Sequence, residues 1–207
     1  LKGSLGADTA DIRSLNKDLG CFTYDPGFIA TASCKSKITY IDGDKGILLY
    51  RGYPIEQLAE NCEFTEVAYL LMNGELPDQT QLRDFNEEIS DRATIHESLR
   101  KFFDGFHYDA HPMAMLVGVV GSLSAFYHSD LNIKDPDSRR ICAARLLGKM
   151  PTIAAASYRH SVGRPFVYPR MDLSYCENFL NMMFSRSSQN YIDQNHYIDP
   201  NLVKALN

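Results

Sequence analysis

Two basic side chains, Arg145 and Lys149, stand four residues apart in a segment whose pattern predicts a helix. At that spacing both cations lie on one face of the helix. Two fixed cations one turn apart can clamp a pyrophosphate or an adenosine phosphate. The same spacing is also common on an ordinary solvated helix face. The pair therefore leaves an anion-binding and a purely structural interpretation open.

The six histidines give no indication of a metal site. None belongs to an H-E-x-x-H pair, and no group of cysteines and histidines has the spacing of zinc ligands. The G-x-S-x-G, Walker and G-x-G-x-x-G sequences are also missing. His111 directly precedes Pro112, where a histidine more often fixes a loop at a helix start than contacts a ligand. The residues alone therefore predict neither a metal site nor a catalytic group.

The elements that would position these side chains begin with a β-hairpin predicted over 37–52. Ile38, Tyr40 and the run 47–50 are of the types that suit a pleated surface. Between them, residues 42–46 read Asp-Gly-Asp-Lys-Gly, which supplies glycines for unusual backbone angles and aspartates that accept from nearby amides. A small β element therefore precedes a chain that is otherwise helical.

Helical periodicity dominates the remaining sequence. Helices are predicted over 54–60, 65–73, 78–91, 96–106, 112–127, 135–149, 152–162, 173–185 and from 199 onwards. Pro151 is expected to end one helix and begin the next, because proline lacks a backbone N–H. Irregular backbone is expected over 1–20, a strand and turn over 21–28, non-helical backbone over 163–170 and a polar loop over 185–195.

Composition limits the class of protein. The 207 residues are 44% hydrophobic and 23% charged, which is typical of a soluble protein of one or two domains. A net charge of −5 disfavours nonspecific nucleic-acid binding. Five scattered cysteines favour a reducing compartment, the cytoplasm, over a disulfide framework. The apolar segment 112–127 is about 16 residues long, short of the roughly 20 that a membrane span needs.

Several motifs in order resemble the N-terminal region of citrate synthases, especially the bacterial (type II) kind regulated by NADH. They are YDPGF, TASC, IDGDKGILLYRGYPIEQLA, AHPM, SAFYH, RLLGKMPTIAA, GRPFVYPR and NFLNMMF. The resemblance covers nearly the whole chain. It implies a mainly α fold: an N-terminal segment, 1–53, with the hairpin, and the N-terminal part of a multi-helix citrate-synthase-like large domain, 54–207. The fold would be incomplete, with the chain truncated at Asn207.

The same resemblance implies an acyltransferase that joins acetyl-CoA to oxaloacetate, giving citrate and CoA, without metal or cofactor. In the family an Asp removes a methyl proton while His residues stabilise the enolate and assist attack on the ketone. These groups belong to H-A-D-H, G-P-x-H-G-G and G-F-G-H-R motifs, none of which occurs here. No catalytic residue is therefore assigned, and this chain alone is expected to be inactive.

NADH-regulated members also hold the nucleotide in an allosteric pocket drawn largely from this region. The matching positions here are Tyr127, Arg145 and Lys149, with Arg92 as a fourth candidate in the segment that precedes the Ile-His-Glu motif at 95–97. The resemblance therefore strengthens the nucleotide interpretation of the Arg145 and Lys149 pair to equal standing with the structural one, and both stay open.

Two departures weaken that expectation. Where the family pocket has an Arg-His pair, this chain has Asp91, Arg92, Ala93 and Thr94, and an aspartate repels a phosphate by about 1 kcal/mol when exposed. A cysteine near the family pocket is replaced by Ser188. The whole enzyme is accordingly expected to bind NADH weakly or not at all.

Two alternatives remain open. One is 2-methylcitrate synthase of the same family, which takes propionyl-CoA. The other is a non-catalytic helical module that binds a nucleotide or a protein partner. As the family implies, the whole protein is expected to form a homodimer or homohexamer, with no nucleic-acid or membrane partner.

Overall fold

The computed structural model describes residues 1–185 and 198–207, so Ser188 and most of the loop predicted over 185–195 lie outside the described residues. The chain forms two compact units. The first comprises Leu1–Cys62 and Val67–Leu76, and the second comprises Glu63–Glu66 and Pro77–Asn207.

The predicted hairpin is confirmed in the first unit. Strands β1 (Thr39–Asp42) and β2 (Ile47–Tyr50) pair antiparallel, with Asp42 opposite Ile47 across the turn. The Asp42 carboxylate accepts from the Lys45 amide at 3.1 Å and pairs with its ammonium at 3.0 Å. Gly46 adopts the left-handed angle that closes the turn, with φ of 66°.

A third strand, β3 (Tyr53–Pro54), extends the sheet in the order β1-β2-β3 and was not predicted. The chain reverses at Arg51 and Gly52, both with positive φ. A non-glycine residue such as Arg51 rarely adopts positive φ, so the sequence alone does not predict this chain reversal. No loop separates β3 from the next helix, since β3 ends at Pro54 and α2 begins at Ile55.

The N-terminal expectations are only partly right. A short helix, α1 (Leu15–Leu19), interrupts the segment expected to be irregular and ends at Gly20 in the left-handed region. The strand predicted within 21–28 does not form; a turn stands there instead. The Asp25 carboxylate secures that turn by accepting from the Ile29 and Ala30 amides and the Thr31 hydroxyl.

Helices build almost all of the rest, as the mainly α prediction required. They are α2 (Ile55–Asn61), α3 (Phe64–Asn73), α4 (Gln79–Asp91), α5 (Glu97–Phe102), α6 (Pro112–Phe126), α7 (Pro136–Ser161), α8 (Tyr175–Phe184) and α9 (Pro200–Leu206). The helix predicted over 96–106 tightens into a 3₁₀ turn, Phe103–Gly105, after α5.

Side chains at the starts of these helices explain where they begin. Asp78 and Ser174 each form a reciprocal capping box, with Gln81 and Glu177 respectively. His111 accepts from the Met113 amide through Nδ1 at 3.1 Å, which confirms its predicted structural role at the start of α6.

Pro151 does not end a helix, and the prediction of two helices over 135–162 is wrong. α7 is one continuous helix of 26 residues with Pro151 inside it. A proline leaves the carbonyl four residues earlier without its helical donor, here that of Leu147. The Tyr175 hydroxyl of α8 donates to this carbonyl at 3.0 Å. The neighbouring helix therefore supplies the hydrogen bond that the proline removes.

The core of the second unit forms where α5, α6 and α7 meet. Its buried members are Ile95, Leu99, Phe103, Val119, Leu123, Ile153 and Ala156. Among the described residues no helix has the length and apolar character needed to cross a membrane.

Candidate functional site

The end of α6 and the middle of α7 bring three of the predicted site residues together. The Arg145 guanidinium lies 4.0 Å from the centre of the Tyr127 ring, and the Lys149 ammonium lies 5.4 Å from the same ring. Both cations thus contact the ring by cation–π attraction. The i, i+4 spacing correctly placed them on one helix face.

Lys149 turns inward rather than towards solvent. Only 4% of the residue is exposed, and its ammonium donates to the backbone carbonyls of Arg92, at 3.0 Å, and Thr94. These carbonyls follow the C-terminal end of α4, where the helix dipole favours a cation. On the next turn of α7, the Thr152 hydroxyl donates to the Ala93 carbonyl at 2.7 Å. α7 therefore holds three consecutive carbonyls of the α4–α5 loop.

Arg92 contributes its backbone, not its side chain, to this cluster. Its guanidinium donates to the Glu88 carbonyl at 2.9 Å and pairs with the Glu88 carboxylate at 3.2 Å. The same carboxylate accepts from Arg140 of α7 through both oxygens, each at 3.0 Å. Asp91, the residue before Arg92, is exposed. The structure thus brings Tyr127, Arg145 and Lys149 together, while the charge of Arg92 is directed towards Glu88.

A second buried cation, Arg159, was not predicted. Only 1% of it is exposed, and it donates to the carbonyls of Met182, Met183 and Ser185 at the end of α8, and to that of Pro165. Burial lowers its pKa below the usual value of an arginine. No sequence pattern distinguishes this arginine from a solvated one, because its partners are backbone groups distant along the chain.

Sequence reasoning also missed an open cleft of about 550 Å³ in the second unit. One face of α4, the first turn of α3 and the segment before α8 line it, including Glu63, Thr65, Glu87, Asp91 and Asp172. In the described part of the chain, no group of three His, Cys, Asp or Glu side chains is close enough to hold a metal ion. The i, i+4 spacing of Glu87 and Asp91 was the one sequence sign of this surface.

Comparison with known families agrees with this helical architecture. The family described as citrate synthase, C-terminal domain, matches residues 27–207. The chain therefore belongs to the citrate synthase family.

Solved structures of that family share the fold. Citrate synthase from Pyrobaculum aerophilum is 34% identical with a TM-score of 0.70, and 79% of this chain matches 42% of that one. Citrate synthase from Thermotoga maritima is 33% identical with a TM-score of 0.67, and 81% of this chain matches 43% of that one. The Thermoplasma acidophilum enzyme, solved with carboxymethyl coenzyme A and oxaloacetate, is 29% identical with a TM-score of 0.71, and 78% of this chain matches 42% of that one. The chain thus spans less than half the length of these structures.

Proposed function

We propose that the protein to which these residues belong is a citrate synthase, and that this chain supplies helical scaffold rather than reacting groups. The family match over residues 27–207 carries the proposal. The Thermoplasma relative was solved with oxaloacetate and a coenzyme A analogue, which supports the same substrate pair here. Three buried polar side chains, Lys149, Thr152 and Arg159, bind backbone carbonyls, as expected of scaffold.

The substrate is tested by measuring CoA release from acetyl-CoA and from propionyl-CoA, each with oxaloacetate, on the whole protein. We expect turnover with a clear preference for acetyl-CoA. A preference for propionyl-CoA would instead indicate 2-methylcitrate synthase, and no turnover with either would contradict both. Light scattering on the same sample tests the expected homodimer or homohexamer.

The scaffold role is tested separately on the 207-residue chain. We expect this chain to release no CoA, while a sample of whole protein assayed in parallel does. Turnover by the chain alone would refute the scaffold role without refuting the activity. If the chain bound a nucleotide or protein partner while the whole protein lacked turnover, the helical binding module would be favoured.

We also propose that NADH is bound weakly, if the protein is a type II enzyme. The Lys149 ammonium already donates to two carbonyls, and a phosphate would have to displace them. The Arg92 guanidinium is paired with Glu88, and Asp91 places an exposed carboxylate beside it. An NADH titration of citrate formation tests this: we expect little inhibition, and strong inhibition at micromolar nucleotide would refute the proposal.

A further inference from the structure

We draw no further inference here: the strongest candidate, an apolar surface patch formed ahead of β1 by the exposed side chains of Phe22, Tyr24 and Phe28, carries none because nothing in the described residues shows what covers it.

Discussion

The hydrogen bond from the Tyr175 hydroxyl to the Leu147 carbonyl makes the continuity of α7 testable. Burial raises the pKa of Tyr175, so the hydroxyl keeps its proton at neutral pH and can donate. Tyr175→Phe keeps the ring stacked on Phe64, whose centre lies 4.7 Å away, and removes only the donor. The Leu147 carbonyl, four residues before Pro151, would then lose this hydrogen bond. We expect the free energy of unfolding to fall by about 1–3 kcal/mol.

The physical reason for that cost is tested by adding Pro151→Ala. An alanine at this position restores the backbone N–H, which can donate to the Leu147 carbonyl within the helix. The Tyr175 hydroxyl would then be redundant. We expect the cost of Tyr175→Phe to fall by about 1 kcal/mol or more in the alanine background, a coupling typical of residues that share one partner.

The measurement is urea unfolding of the four variants of this cycle, followed by far-ultraviolet circular dichroism because the chain has no tryptophan. Tyr168→Phe serves as the control, since its hydroxyl contacts Arg100 and Glu97 on the surface. That substitution should show no coupling to Pro151→Ala. If the costs of Tyr175→Phe and Pro151→Ala simply add, the account of the orphaned carbonyl is wrong.

Three further substitutions probe the packing and the N-terminal cap of α7, and Gly121→Ala in α6 is the control for the first. Gly148→Ala would place a methyl group 2.5 Å from the Ile89 carbonyl oxygen, so unfolding measurements should show a loss of about 1–3 kcal/mol, whereas Gly121→Ala, with open space around it, should be neutral or stabilising. Lys149→Met leaves two loop carbonyls without their donor and should cost about 1–3 kcal/mol in urea unfolding; an unchanged midpoint would show that water replaces the ammonium. The Ser138 hydroxyl and amide lower the pKa of Asp135, so the folded carboxylate resists protonation and its stabilisation is lost as pH falls. Asp135→Asn should therefore lose less thermal stability than the unmodified chain between neutral and acidic pH, and parallel losses would contradict this.

The sequence predicted those elements that depend mainly on residues close together in the chain. The hairpin follows from a turn sequence and alternating side chains, and the helix starts follow from residues such as Asp78, Ser174 and His111. β3 was missed because it depends on positive φ at Arg51, which the residue type disfavours. Pro151 misled because its compensating donor comes from another helix.

The candidate site likewise has a part that the sequence predicted and a part that depends on how the helices pack. Helical spacing placed Arg145 and Lys149 on one face, and the family resemblance added Tyr127, whose ring lies beside both cations in the structure. Neither the spacing nor the resemblance could show that Lys149 is buried against the α4–α5 loop, since its burial depends on how α4 and α7 pack. The cleft with Thr65 was missed because its walls come from separate segments.

The two cations buried along α7 have a consequence for ionic strength. Lys149 and Arg159 are both almost completely buried, and their contacts among the described residues are backbone carbonyls and an aromatic ring rather than carboxylates. Dissolved ions screen exposed charge pairs, such as that of Arg140 with Glu88, far more than buried groups. High salt should therefore weaken the exposed pair of Arg140 with Glu88 and leave the hydrogen bonds of Lys149 and Arg159 unchanged. The packing of α7 against its neighbours would then persist at high salt concentration.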